Sequence, residues 1–257
     1  MPRAVGLDRL YREAQHQRRL WTPRGGRPVG WFDAADIATI QAPDGVSSWA
    51  NKGSGGGVAQ NAAVAQRPAF SSAGFNGRPC LRFDSGGSQT LVHTLTQASA
   101  WTIFAVWVNT TAQSATRGVC SFGAVSATGG TALFARVPGA AFMGCWNVAD
   151  IPSTHPYGLS PQIGGVIDRN DGTGSFRVNG GAAGTFSGIN PNGQPAHIGG
   201  VPTEGNAMLL AEAVALDRVA SVVECEYLEG YLAWKWGLQG ILIPTHAYRN
   251  RPPLVGA

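Results

Sequence analysis

The chain has 257 residues, 44% of them hydrophobic and only 13% charged, with 36 Gly, 16 Pro and a formal charge of +4. A chain of this length buries roughly three quarters of its unfolded surface, so it folds without metals or disulfides, and its apolar content excludes a disordered polymer. Seven Arg stand against Asp8 and Glu13 in residues 1–28, while the remainder carries 12 basic and 13 acidic residues. The basicity therefore belongs to an N-terminal arm, which argues against a nucleic-acid-binding body.

Residues 5–21 (VGLDRLYREAQHQRRLW) are predicted as a short amphipathic helix, with Leu7, Leu10, Tyr11, Ala14 and Trp21 near one face and Arg9, Arg12, Arg18 and Arg19 elsewhere. The segment TPRGGRP, residues 22–28, breaks that helix and is predicted as a linker. The arm thus spans 1–28 and the globular domain 29–257. No apolar h-region marks a secretory signal and no run of about 18 apolar residues marks a membrane span. The expected site of synthesis and folding is a cytosol.

From Val29 onward the texture is short β-like runs. WTIFAVWVN (101–109) is the strongest, with Ile103, Ala105, Trp107 and Asn109 on one face. Further runs fall at 79–84, 118–125, 132–137, 140–146, 164–169, 174–180, 196–200 and 209–216, separated by Gly, Asn, Pro and Ser. That spacing predicts a sandwich or barrel. Asn170-Asp171-Gly172 and Asn179-Gly180-Gly181 are predicted hairpin turns. One helix is predicted after Ser221, an N-cap with Glu224 three residues on, ending at Gly237. The tail HAYRNRPPLVGA is expected to run extended over the surface. Cys80, Cys120, Cys145 and Cys225 form no C-x-x-C motif and are expected to be reduced and buried, with one bridge as the alternative. Trp31, Trp49, Trp101, Trp107, Trp234 and Trp236 sit in strand or helix patterns and are expected in the core.

Three segments together carry a resemblance. WFDAADIATI…VSSWANKGSGGG, with Trp31, Asp33, Asp36 and Trp49, continues to NGRPCLRFD (76–84). GSFRVNG is followed by AHIGG, and LLAEAVALDRVASVVECEYLEGYLAWKWGL…IPTHAYRNRPP (209–253) closes the chain. Together they resemble the concanavalin A-like, laminin-G-like domains, over roughly residues 29–257. The resemblance implies an all-β jelly-roll sandwich, here with an N-terminal helical arm and a short C-terminal helix. It also implies the adhesive or architectural roles such domains take in bacterial surface proteins and in structural proteins of tailed bacteriophages. Fold alone does not fix function.

The chemistry legible in the residues is sparse. No Glu-x-Asp-x-(x)-Glu strand supplies the paired carboxylates of a glycosidase. Glu224, Glu226 and Glu229 are expected on a solvated helix face. No H-E-x-x-H, P-loop or G-x-S-x-G occurs, so no catalytic residue, cofactor or metal is assigned. Asp168, Asn170 and Asp171 could offer oxygens to Ca²⁺, and a plain polar turn is the alternative. The segment CWNVADIPSTHPYG (145–158) is expected to be a loop, and its Trp146, Asn147, His155 and Tyr157, with Asp150, combine aromatic platforms and polar groups as a sugar site does. A structural loop is the alternative there.

The expectation is a non-enzymatic virion protein, a head decoration or tail-associated component assembled in the host cytoplasm. Its partners would be other virion proteins or copies of itself, docked through Arg9, Arg12, Arg18 and Arg19. The alternative is a carbohydrate-binding adhesion module on a phage or bacterial surface, with a host-surface glycan as partner. Nucleic acid and membrane are not expected partners.

Overall fold

The computed structural model describes residues 19–84, 89–96, 100–111, 117–126, 129–135, 141–145, 149–153, 159–169, 171–187, 195–201 and 204–255. Within them, two antiparallel sheets pack face to face. The eight-stranded sheet runs in the order β15 (Gly181–Ser187), β14 (Thr173–Val178), β13 (Gln162–Asp168), β8 (Trp101–Asn109), β19 (Met208–Leu216), β6 (Arg78–Phe83) and β5 (Ala69–Phe75), with β1 (Gly30–Asp33) also paired to β19. The nine-stranded sheet runs β12 (Ala149–Ser153), β11 (Ala141–Cys145), β10 (Gly129–Ala135), β9 (Arg117–Ser126), β16 (Pro195–Ile198), β7 (Leu91–Thr96), β4 (Val58–Gln60), β3 (Ser48–Ala50) and β2 (Ile40–Gln41), and β17 (Gly200–Val201) pairs with β18 (Glu204–Gly205) apart from both. The all-β sandwich expected from the strand spacing is present.

Two apolar cores explain the sequence pattern. Ile103, Ala105 and Trp107 of β8 point between the sheets, where they join Phe32, Trp49, Leu81, Leu91 and Ile198. Phe104 and Val106 point the other way, into a second core with Cys225, Leu228, Leu232 and Trp236 of α1 (Val222–Trp236). The central strands therefore read as continuous apolar runs instead of alternating ones, because both faces of their sheet are covered. Cys80, Cys120 and Cys225 are buried free thiols, and burial pushes the Cys120 thiol up to about 12. The side chain of Cys145 lies outside the described residues.

Local signals act where the sequence places them. Ser221 Oγ accepts from the Glu224 amide at 3.2 Å, and the Glu224 carboxylate accepts from the Ser221 amide at 2.9 Å, closing the capping box. Gly237 ends the helix at φ 70°. Asn179 and Gly180, at φ 49° and 85°, turn β14 into β15 with the two positive φ values such a hairpin requires.

Two expectations are corrected. Glu229 is not on a solvated face. It is fully buried, its carboxylate accepts from Arg177 Nε at 2.8 Å and Nη2 at 2.9 Å, and His246 Nε2 lies 3.2 Å away. This cluster ties helix, sheet and tail together. The end of the expected 5–21 helix also differs: Arg19–Trp21 run extended, and residues 1–18 lie outside the described set. Leu20 bridges to Leu254, the Trp21 amide donates to Pro253 O at 2.8 Å, and the Trp21 ring lies 5.4 Å from that of Tyr227. Pro23–Gly26 then form a 3₁₀ turn. Residues 19–28 and the tail are thus docked on the body.

Candidate functional site

The eight-stranded sheet has α1 on its second face. The nine-stranded sheet turns its second face outward, and there a groove of about 850 Å³ opens, within the size range of ligand sites. Strand alternation decides what lines it. Trp49, Ala59 and Leu91 point into the core, so Ser48, Gln60 and Val92 face outward. Gln41, Ser48, Gln60 and Val92 are successive cross-strand partners on β2, β3, β4 and β7. The backbone register carries the same row onward through His197 and Ser121, then Ala132, Gly144 and Asp150. One rank of residues thus crosses the whole sheet.

The groove wall is fixed by its own hydrogen bonds. Asn61 Nδ2 donates to Thr90 O at 2.8 Å, and Arg67 donates to the carbonyls of Asn61 and Ala62 at 2.9 and 3.0 Å. Among the described lining residues Arg67 is the one Arg or Lys, no Asp or Glu joins it, and its guanidinium is engaged with backbone. By contrast, the carboxamides of Gln41, Gln60 and Gln66 have no hydrogen-bond partner among the described residues. Beyond the groove, Ser121 Oγ and His197 Nδ1 are buried and unpartnered among those residues too, and burial pushes the His197 pKa below the usual histidine value. At the edge, His93 Nδ1 accepts from the Leu95 amide at 2.8 Å, so its Nε2–H donates to Gly56 O at 2.8 Å. Burial holds this imidazole neutral by lowering its pKa, against the opposing pull of that carbonyl. The arrangement offers neutral donors and acceptors on a rigid, open surface. It offers no nucleophile–base pair and, among the described residues, no group of three His, Cys, Asp or Glu placed to hold a metal.

The chain is similar in fold to a sialidase of Trypanosoma rangeli. That likeness has a TM-score of 0.56 at 14% identity, over 85% of this chain and 34% of the sialidase. The same enzyme solved with sialic acid matches at 0.56 and 14%, over 94% and 40%. The binding domain of Paraclostridial Mosquitocidal Protein 1 matches at 0.56 and 11% identity, over 80% of this chain and 52% of that one. The chain therefore spans well under two thirds of these neighbours. No protein-family model and no curated protein sequence matches it. At such identities the likeness is one of fold, a β-sandwich.

The residues singled out from sequence fall elsewhere. Segment 145–158 is not one loop: β11 and β12 pair as a hairpin, Cys145 opposite Ala149. Trp146 and Asn147 lie between those strands, and His155 and Tyr157 beyond them, all outside the described residues. Arg9, Arg12 and Arg18 lie outside them as well, while Arg19 is exposed beside the tail, its carbonyl accepting from Val255 N at 2.9 Å. Asp171 accepts from the Thr173 amide and hydroxyl at 2.8 and 2.6 Å, a turn closed on itself. Asp168 is buried in β13, and Asn170 is outside the described residues. Gln41 and Gln60 escaped notice because a glutamine in a weakly apolar strand carries no motif, and Gln66 sits in the Val64–Gln66 3₁₀ turn, which carries none either. The cross-strand register brings the first two together, and the turn brings Gln66 to the same groove.

Proposed function

We propose that this protein is a non-catalytic carbohydrate-binding module of the concanavalin A-like, laminin-G-like jelly-roll kind. It holds a glycan across the outer face of its nine-stranded sheet. One observation carries the reading: carboxamides without internal partners among the described residues stand on an open groove whose one described charge, Arg67, is engaged with backbone carbonyls. Sugar hydroxyls both donate and accept, and carboxamides answer both roles. Structures of like fold include a sialidase in complex with sialic acid and the binding domain of a mosquitocidal protein, which favours recognition over scaffolding alone. No carboxylate stands among the described groove residues, which favours binding without hydrolysis. Placement on a phage particle is the narrower form of the proposal and is supported by the sequence resemblance and the arginine arm alone.

The test is a glycan array followed by calorimetry on the best neutral oligosaccharide. Gln60→Ala and Gln66→Ala should each weaken binding by roughly three- to tenfold, the worth of one neutral hydrogen bond, without lowering the melting temperature. The same oligosaccharide should release no new reducing ends. An empty array, or affinity unmoved by both substitutions, removes the proposal.

A further inference from the structure

A second cavity, of about 310 Å³, shares no lining residue with the groove and is bounded by Arg24, Arg27, Pro28, Trp31, Lys52, Gly53 and Ser54. Its floor is rigid: the amides of Lys52, Ser54 and Gly55 donate to the carbonyls of Trp31, Pro28 and Val29 at 2.8, 2.8 and 3.0 Å. Its charges are unequal in kind. Lys52 is spent, held by Asp33 at 2.8 Å and Asp36 at 2.9 Å, with its ammonium 4.2 Å from the Trp31 ring centre. The nearby Arg218 is spent as well, on Glu224 at 2.8 Å and on the Gly26 carbonyl at 2.9 Å. Arg24 and Arg27 have no ion pair and no side-chain hydrogen bond among the described residues.

Backbone geometry fixes where the second arginine stands. Arg27 caps the Pro23–Gly26 turn at φ 50° and ψ 61°, in the left-handed region, its amide donating to Arg24 O at 3.2 Å. A side chain there is disfavoured and glycine is the usual choice. The cap sets a second arginine beside the cavity that Arg24 also borders.

We propose that this pocket is a binding site for the oxyanion group of a small organic ligand, a carboxylate or a phosphate, gripped by Arg24 and Arg27. The planar guanidinium fork matches either group with two parallel hydrogen bonds. A cavity of 310 Å³ corresponds to about ten waters at their liquid volume, so it accepts a molecule larger than a bare ion. The site differs from the groove in place and in chemistry and does not depend on it.

The experiment is calorimetric titration of the full chain with D-glucuronate and with D-glucose 6-phosphate, the two arms separating a carboxylate from a phosphate source. At least one should bind, more weakly as salt rises, and D-glucose should not displace it. Arg27→Gly removes the cation and relieves the backbone, so affinity should fall about tenfold or more while the melting temperature holds or rises. Arg24→Gln should lose affinity similarly and serves if the first variant fails to fold. Gln60→Ala should leave anion binding intact, which keeps this outcome separate from that of the glycan groove. No binding by either anion, displacement by glucose, or affinity unmoved in both arginine variants overturns the site.

Discussion

Glu212 is a carboxylate inside an apolar sandwich, and one irregularity makes it tolerable. Met208 and Leu210 of β19 point between the sheets, and strict alternation would send Glu212 after them. The pairing of β19 with β8 shifts register between Leu210 and Glu212. That bulge moves the next inward positions to Ala213 and Ala215 and turns Glu212 towards α1. There its oxygens accept from Trp31 Nε1 at 2.6 Å, Trp236 Nε1 at 2.7 Å, Tyr231 OH at 3.0 Å and Lys235 Nζ at 2.7 Å. Burial pushes its pKa up against the pull of Lys235. Burial would also raise Asp33, but Lys235 and Lys52 overcome it and hold that carboxyl below the usual range. Removing the shared ammonium leaves the buried Glu212 without its cation and Asp33 with Lys52 alone. Lys235→Met should therefore cost about 3–5 kcal/mol of folding free energy, the penalty for stranding a buried charge. Urea unfolding monitored by tryptophan fluorescence measures it, and a loss below about 1 kcal/mol would mean the network is not what holds β1 and β19 to the helix.

At the level of elements, legibility followed the range of the signal. The helix was readable because its determinants are local: Ser221 and Glu224 three residues apart, then Gly237 at the end. Ser221→Ala removes the hydroxyl that accepts from the Glu224 amide and should cost about 1 kcal/mol. Equilibrium unfolding should show it, and an unchanged midpoint would mean water replaces the cap at no cost. β8 was readable because a nine-residue β-branched and aromatic run has few other uses. Glu229 was misread because its partners, Arg177 and His246, are 52 and 17 residues away, beyond any periodicity. The groove was invisible for the same reason. Gln41 and Val92 belong to one rank only after three strand pairings are known, the last between the non-consecutive β4 and β7, and a carboxamide has no spacing rule of its own.

At the scale of the whole molecule, the arm has two parts with different physics. Residues 19–28 belong to the body: Leu20 pairs with Leu254, Trp21 lies against Tyr227 and Tyr231, and the Pro23–Gly26 turn leads into β1. Residues 1–18 hold Arg3, Arg9, Arg12 and Arg18 against Asp8 and Glu13, and the proposed docking to an acidic surface, on another particle protein or on a second copy, falls to them. The two parts give opposite expectations for truncation. Removing 1–18 should abolish any salt-sensitive association, because four arginines are lost, and should leave unfolding unchanged if the contacts of Leu20 and Trp21 are what tie the arm to the body. Removing 1–28 should also destabilise the fold by about 3 kcal/mol or more, since burial of a large aromatic such as Trp21 and its neighbours is lost. Light scattering at low and high salt, with thermal melts of both truncations, tells these apart. Equal melts would show that Trp21 contributes nothing to the body. Association that survives loss of 1–18 would move the docking role away from the arginines.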